Sequence, residues 1–160
     1  MLIVDIANPA SPGPRALLED SHAMMRALFP PEDNYFLDIE ELRGPDIRFY
    51  AARDGAQTLG TGALALRRGY AEVKSMFTAP AARGRGVGAA ILRALEDEAR
   101  SDDIPALRLE TAEVLGSAIR LYERHGFTRR GLFGDYRPNA TSVFMEKFLS
   151  RRPDDGAQNT

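Results

Sequence analysis

The sequence predicts an α/β (α+β) domain, in which a mixed, twisted sheet carries helices on both faces. Alternating strands separated by glycine turns fill the first half, and strands separated by amphipathic helices fill the second. The chain has 160 residues, of which 44% are hydrophobic, and this is enough for one core without metal or disulfide staples. We expect a single domain over residues 1–150 and a polar, disordered tail over residues 151–160.

The first half is predicted to hold one strand, two helices and a three-stranded antiparallel meander. An apolar strand opens the chain, Pro14 suits the first turn of the next helix, and Asp38 is placed to cap a single helical turn. Glycine turns then separate three strands, and Gly60 and Gly62 predict a bend or bulge in the middle one. The predicted elements are strand 2–6, helix 14–28, helix 39–42 and strands 47–53, 58–66 and 70–78.

In the second half, strands are separated by helices. Val87, Ile91 and Leu95 fall on one stripe of an amphipathic helix, and Gly126 ends a second helix. Because this order follows a meander, the sheet should be mixed, with a ligand site where parallel strands part at their carboxyl ends. The predicted elements are helix 87–100, strand 106–111, helix 117–125 and strands 127–130 and 142–149.

Composition excludes several classes of function. The chain has no cysteine and two histidines, which rules out thiol nucleophiles, iron–sulfur clusters and multi-histidine metal sites. A formal net charge of -2 argues against binding to nucleic acid. No apolar run approaches the ~20 residues of a membrane span. We therefore expect a cytoplasmic protein with no metal, no nucleic-acid partner and no membrane partner.

A glycine-rich turn before helix 87–100 is the candidate for chemistry. Glycines at 84, 86 and 88 let the backbone approach a ligand, and the free N–H groups of the next helical turn suit phosphate or pyrophosphate. Arg83 and Arg85 add positive charge to the same turn. The alternative interpretation is a solvated loop that merely joins strand to helix.

Three nucleotide-binding patterns compete for this turn. The phosphate-loop pattern of NTPases does not match, because Gly88 is not followed by a lysine and a hydroxyl residue. The dinucleotide pattern fits Gly84, Gly86 and Ala89 formally, but the strand before these residues belongs to an antiparallel meander. The third pattern, Arg-x-x-Gly-x-Gly, is met by Arg83, Gly86 and Gly88.

With this third pattern the chain resembles the GNAT superfamily of acyl-CoA-dependent N-acetyltransferases. The segment 76–88 is similar to that family's cofactor strand and pyrophosphate loop, and the segments 109–111 and 121–127 are similar to its next strand and helix. The resemblance implies the GNAT fold, with about six or seven mostly antiparallel strands. Segments similar to a bacterial subgroup of small GNAT proteins, whose acceptors are mostly unassigned, lie at 71–76, 133–138 and 142–147.

The resemblance also implies an activity. It implies direct transfer of an acetyl group from acetyl-CoA to a primary amine of a small molecule or peptide, in a ternary complex without a covalent intermediate or a metal. Dimers are common in the family, so a homodimer is a further option. The implied cofactor-binding residues are Met76, Phe77, Thr78, Arg83, Gly84, Arg85, Gly86, Val87, Gly88 and Ala89.

The candidate catalytic residues are Tyr122, which the resemblance implies, and Glu72, which strand alternation suggests. Tyr122 matches the family tyrosine that protonates the leaving thiolate, and a phenol of pKa ~10 can protonate a thiol of pKa ~8.5. The alternative for Tyr122 is an aromatic that packs helix on sheet. Strand alternation puts Glu72 on one face with Lys74 and Met76, which makes it the candidate base. Alternatively, Glu72 pairs with Lys74 on a solvated face, or Lys74 orients an acidic acceptor while Glu72 binds its amine; Glu110 has a weaker claim.

Some positions depart from the family pattern. Leu115 stands where many relatives have an asparagine that touches the cofactor, Ser117 is a candidate cap for the same helix, and Ala112 replaces a strand-end glycine. We expect His22 to be solvated and His125 to cap a helix, so neither is assigned to the site. The competing function is a non-catalytic acyl-CoA-binding or regulatory module, and a dinucleotide-binding domain is a weaker alternative.

Overall fold

The computed structural model describes residues 1–149, so the predicted tail at 151–160 lies outside the described residues. The described residues form one seven-stranded sheet with four α-helices. The elements are β1 (Leu2–Ile6), α1 (Pro12–Leu28), α2 (Ile39–Leu42), β2 (Ile47–Asp54), β3 (Gln57–Leu66), β4 (Ala71–Thr78), α3 (Val87–Ser101), β5 (Ala106–Ala112), α4 (Gly116–Arg124), β6 (Thr128–Arg130) and β7 (Ser142–Phe148).

The sheet has the strand order β1-β2-β3-β4-β5-β7-β6. Among the strands of residues 1–149, β4 and β5 form the one parallel pair, and every other neighbouring pair is antiparallel. The parallel pairing covers Ala71 with Leu107 and Glu72 with Arg108, and it stops there. The two strands therefore part toward their carboxyl ends, as the mixed-sheet prediction requires.

Each face of the sheet has its own apolar core. On one face Leu18 of α1 and Leu42, at the end of α2, pack with Phe49 and Ala63. On the other face the helices α3 and α4 cover a larger core that includes Ile91. Burying a leucine or isoleucine side chain contributes about 1.5–3 kcal/mol, so both cores hold helices against the sheet. The predicted α/β (α+β) architecture with helices on both faces is confirmed.

The sheet bends at a bulge in β4. Ser75 and Met76 together lie opposite Gly62 of β3, so β4 carries one extra residue at this point. Ser75 has a φ of 56°, in the left-handed region, and its carbonyl accepts a hydrogen bond from the Thr61 hydroxyl at 2.8 Å. The bulge that Gly60 and Gly62 predict in β3 is a separate one, where Leu59 is the extra residue between the pairs Ala52–Gly60 and Arg53–Thr58.

The bulge changes which face the next side chain occupies. Met76 packs against the core under α3, and its sulfur lies 2.7 Å from where a β-carbon at Gly62 would be, in the same space that Ile91 borders. Strict alternation placed Met76 on the face of Glu72 and Lys74, and that prediction is wrong. An extra residue reverses the phase of a period-two pattern, and the sequence carries no direct sign of it.

Among the α-helices of residues 1–149, α2 is the one whose N-terminus is capped by a side chain. Asp38 caps α2 through a reciprocal capping box, with its carboxylate 2.7 Å from the Glu41 N–H. Leu115 occupies the N-cap of α4, and no side chain caps that helix. Ser117 lies inside α4, where its hydroxyl accepts a hydrogen bond from Arg120 at 3.2 Å, so its predicted capping role is wrong. No helix within residues 1–149 is long and apolar enough to cross a membrane.

Candidate active site

The glycine-rich turn leads into α3 with a row of unpaired N–H groups. Gly86, the N-cap, has a φ of 76°, a left-handed conformation that costs any residue with a β-carbon about 1–2 kcal/mol. The Ala90 N–H bonds to the Gly86 carbonyl at 3.0 Å, while within residues 1–149 the N–H groups of Val87, Gly88 and Ala89 have no backbone acceptor. This arrangement can bind an anion such as pyrophosphate.

The two arginines of the turn are exposed to solvent. Arg85 lies 3.5 Å from the Asp54 carboxylate, and both side chains of this ion pair are about half exposed. Such an exposed pair contributes about 0–1 kcal/mol, so Arg85 can exchange Asp54 for a phosphate oxygen at little cost. Arg83 stands beside the turn, directly after a single 3₁₀ turn over Pro80–Ala82.

A cavity of about 120 Å³ opens where β4 and β5 part. Residues of the two parting strands, of α1, of the segment 29–36 and of α4 line it. The chemically relevant side chains that line it are His22, Lys74, Ser75, Glu110 and Tyr122. The position agrees with the ligand site predicted at the carboxyl ends of parallel strands.

Tyr122 belongs both to this cavity and to the apolar core. Its side chain is 6% exposed, and its ring packs edge-on against Phe127 with centroids 5.7 Å apart. Burial, and then the nearby charge of Glu110, raise the pKa of Tyr122 above its ordinary value. The hydroxyl therefore keeps its proton at neutral pH, as a general acid must. Tyr122 can therefore both pack its ring in the core and donate a proton from its hydroxyl.

Glu72 and Lys74 form a buried pair. Glu72 is 4% exposed, both its carboxylate oxygens lie 3.0 Å from the Tyr136 hydroxyl, and the Lys74 amine is 3.7 Å away. Lys74 also donates to the Tyr35 carbonyl and to the Tyr136 hydroxyl, each at 2.9 Å. Burial lowers the pKa of Lys74, and the carboxylates of Glu72 and Glu110 oppose that shift. The predicted solvated face is wrong, because tyrosines from two distant loops cover the pair.

A second cavity, of about 240 Å³, lies on the outer side of this pair. Tyr35 and Lys74 line both cavities, so they form the partition between them. Sequence analysis missed Tyr35 and Tyr136, which lie 39 and 62 positions from Lys74 in the chain. The one available signal was the likeness of segment 133–138 to a subgroup of small GNAT proteins. The remaining outer lining includes Arg67, Tyr70, Glu72 and Asp135.

Glu110 lies in β5, in the same cavity as Tyr122. The Ser142 hydroxyl donates to its carboxylate at 2.6 Å. Burial raises the pKa of Glu110 above its ordinary value, against the opposing effects of Ser142 and Lys74. A buried carboxylate with a raised pKa accepts a proton more readily than a solvated one. Within residues 1–149, no three His, Asp or Glu side chains come together as a metal site.

The two histidines have different surroundings. His125 is the C-cap of α4 and its backbone N–H bonds to the Tyr122 carbonyl at 3.0 Å, which confirms the predicted cap. His22 is 6% exposed, stacks on Phe36 with centroids 4.2 Å apart and lines the inner cavity. The expectation that His22 is solvated is wrong, because the segment 29–36 folds back over α1.

The family profile for Acetyltransferase (GNAT) matches residues 15–127. The chain belongs to the GNAT acetyltransferase family. It is an acyltransferase with an acyl-CoA cosubstrate. The dinucleotide alternative requires a parallel, doubly wound sheet, whereas the described sheet of this GNAT protein has one parallel pair.

Curated relatives and solved structures agree with this assignment. An IAA acetyltransferase of Azospirillum brasilense is 44% identical over 83% of this chain and 88% of its own length. The uncharacterized N-acetyltransferase YedL of Escherichia coli is 36% identical over 91% of each chain. A Klebsiella pneumoniae crystal structure described as an acyl-CoA N-acyltransferase has a TM-score of 0.79 and 33% identity, covering 94% of this chain and 99% of that one.

Proposed function

We propose that this GNAT protein transfers an acetyl group from acetyl-CoA directly to a primary amine of a small molecule or peptide. The observation that carries the proposal is that Tyr122 and Glu110 line one cavity where β4 and β5 part. This cavity offers a proton donor and a proton acceptor around a space of about 120 Å³. Direct transfer needs no protein nucleophile, since acetyl-CoA brings its own activated thioester.

The cofactor end of the site is supported by unpaired backbone groups. The N–H groups of Val87, Gly88 and Ala89 would bind the pyrophosphate, aided by the positive end of the α3 dipole. Pairing between β4 and β5 stops at Glu72, so no described strand pairs with the β5-facing edge of β4 over residues 76–78. A pantetheine arm can add to that edge as an extra strand would.

Tyr122 would supply the proton to the leaving thiolate. Its raised pKa keeps the phenol protonated until the thiolate forms. Because an ordinary phenol has a pKa of ~10 and an ordinary thiol one of ~8.5, this proton transfer is uphill by about 1.5 pKa units or more, so the tyrosine must be held beside the sulfur and give up its proton as the C–S bond breaks. The Tyr122 role is supported further by the match of segment 121–127 to the family pattern.

Two carboxylates compete for the role of base toward the amine. Glu72 is engaged by the Tyr136 hydroxyl and by Lys74, whereas Glu110 shares the inner cavity with Tyr122. We favour Glu110 as the proton acceptor, because it faces the space where the amine must attack the thioester. Glu72 then holds Tyr136 and Lys74 in the partition, and its own role as base stays a prediction that the variants below test.

The outer cavity would admit the rest of the acceptor. Its lining carries both acidic and basic side chains, including Glu72, Asp135 and Arg67. Its volume is about 240 Å³. An acceptor that bears its amine at the end of a chain could therefore extend from the inner cavity past the partition of Tyr35 and Lys74.

Release of free thiol from acetyl-CoA, measured against a panel of amines, amino acids, polyamines and peptides, tests the proposal. We expect thiol release with at least one amine and a matching N-acetylated product by mass spectrometry. In parallel, CoA at 100 times its Kd should stabilise the protein by ~2.7 kcal/mol, while NAD should not. Stabilisation by CoA without thiol release would support the non-catalytic module, and stabilisation by NAD alone would overturn the assignment of the cofactor.

A further inference from the structure

Two buried polar atoms in the inner cavity have no hydrogen-bond partner. Among the described side chains, His22 Nε2 and Ser75 Oγ are the two buried polar atoms without one, and both residues line the same cavity. Leaving such an atom unpaired costs about 1–3 kcal/mol, so folded proteins pair nearly all of them. Two unpaired atoms in one cavity indicate a ligand that pairs them.

The His22 ring is fixed by its neighbours, while its Nε2 has no hydrogen-bond partner. Its stacking on Phe36 is nearly parallel, at 11°, and the Arg26 guanidinium carbon lies 5.4 Å from the centroid of the same Phe36 ring. Burial and then Arg26 lower the pKa of His22, while Asp38, Glu19 and a backbone hydrogen bond with Leu37 oppose that shift.

One ring nitrogen of His22 is left to bind a ligand. Nε2 is buried and has no hydrogen-bond partner. A lowered pKa leaves the imidazole neutral at pH 7, and in a neutral imidazole Nε2 accepts or donates one hydrogen bond according to the tautomer.

Ser75 has a strained backbone conformation. Its φ of 56° is a left-handed conformation that costs a non-glycine residue about 1–3 kcal/mol. The Thr61 hydroxyl fixes the Ser75 carbonyl toward β3, and the Ser75 side chain lines the cavity. Strain of this kind is typical of residues that position a group for binding or catalysis.

We propose that His22 Nε2 and Ser75 Oγ form a hydrogen-bonding subsite for the acceptor, which is a small amine with a hydroxyl or second N–H group near its reacting nitrogen. The inference rests on the proposed function, since Tyr122 and Glu110 line the same cavity. Nε2 forms one hydrogen bond with the acceptor, and the serine hydroxyl either donates or accepts a second one. The lining carries two carboxylates, of Asp33 and Glu110, against the one amine of Lys74, and this balance favours a cationic acceptor over an anionic one.

Nuclear magnetic resonance of the histidine rings tests this subsite without requiring turnover. The ¹⁵N-labelled protein, saturated with CoA, is titrated with 2-aminoethanol and separately with n-propylamine, which has the same number of heavy atoms and no hydroxyl. The ring nitrogens of His22 should shift saturably with 2-aminoethanol. Binding of n-propylamine should be at least about tenfold weaker, because one lost hydrogen bond of ~1.4 kcal/mol corresponds to that factor. His125, on α4, is the internal control and should not respond.

Three substitutions test the same subsite by kinetics. His22→Phe keeps a planar ring on Phe36 but removes the ring nitrogens, His22→Gln restores a hydrogen-bonding atom, and Ser75→Gly removes the hydroxyl without adding strain. The ratio of kcat/KM for 2-aminoethanol over n-propylamine should fall toward about 1 in His22→Phe and Ser75→Gly and recover in part in His22→Gln. Ser117→Ala, a serine on α4 outside the cavity lining, should leave the ratio unchanged.

The outcomes separate this inference from the proposed function. Equal response of His22 to both amines, or no response to either, would overturn the subsite even if another amine is acetylated. A His22 shift on addition of CoA alone, with none on addition of amine, would also overturn it, since the arm of CoA or ordered water then pairs the ring. Failure of CoA to bind would instead contradict the proposed function. The response of His22 to the two amines would then still show whether the subsite binds them.

Discussion

The glycine-rich turn and the inner cavity would bind their proposed ligands by opposite means. The turn is exposed and offers the backbone N–H groups of Val87, Gly88 and Ala89, which are neighbours in the chain. The cavity offers side chains from α1, the segment 29–36, β4, β5 and α4. A site made of local backbone tolerates most side-chain changes, whereas a site assembled from distant side chains depends on each of them.

Removing the Tyr122 hydroxyl should have the largest effect. We expect Tyr122→Phe to lower kcat by about 10²–10⁴-fold, the usual contribution of general acid–base catalysis, with little change in the Kd of CoA. The matched control is Tyr50→Phe, since the Tyr50 hydroxyl donates to Glu98 at 2.7 Å, away from the cavity. Turnover by Tyr122→Phe within threefold of the unmodified protein would show that the cavity lacks this acid.

Replacing the two carboxylates should show which one is the base. Glu110→Gln should lower kcat/KM by about 10²-fold or more, and Glu72→Gln should cost less, because Glu72 acts through Tyr136 and Lys74. Thiol release by the two variants, measured side by side with the same amine, gives the comparison. A larger loss in Glu72→Gln would return the role of base to Glu72.

The pH profile sharpens that comparison. Burial raises the pKa of Glu110, and a base must be deprotonated to act. In the unmodified protein kcat/KM should therefore fall with decreasing pH already above the ordinary range of a carboxyl group. This acid limb should disappear in Glu110→Gln and persist in Glu72→Gln. An unchanged limb in Glu110→Gln would exclude it as the titrating base.

Adding a β-carbon to the turn should weaken cofactor binding without affecting the cavity. Gly86→Ala forces a left-handed residue at the N-cap of α3, and we expect about 1–2 kcal/mol of lost stability with a roughly tenfold weaker Kd for CoA. Gly69→Ala is matched, since Gly69 has a φ of 86° and open space around it, but it lies in the β3–β4 hairpin. Equal CoA affinities of the two variants, measured by calorimetry, would show that the turn does not contribute to cofactor binding.

The smallest effect should come from the side chains of the turn. Arg85 pairs with Asp54 at the surface, so Arg85→Ala should weaken CoA by only about two- to fivefold, consistent with exposed charge pairs of up to ~1 kcal/mol. The loss should shrink as salt rises. Arg93→Ala, an exposed arginine on α3, removes the same charge and should leave the Kd unchanged. A loss above about 50-fold would mean that Arg85 is a principal contact.

The same difference between local and long-range contacts explains which features could be predicted from the sequence. The strands, helices and the turn follow from local periodicity and glycine placement, and the structure confirms the mixed sheet and the bulge of β3 beside Gly60. The face of Met76 could not be predicted, because one extra residue in β4 reverses it. The burial of Glu72, Lys74 and His22 could not be predicted either, since their covers, Tyr136 and the segment 29–36, meet them only in the folded chain.

A crystal structure of the protein with acetyl-CoA is the most direct test that the two regions form one site. The pyrophosphate should lie within hydrogen-bond distance of the N–H groups of Val87, Gly88 and Ala89. The thioester sulfur should lie beside the Tyr122 hydroxyl, and the acetyl group should point into the cavity with Glu110. A thioester outside that cavity, or a pyrophosphate bound away from the turn, would contradict the proposed acetyl transfer at this site.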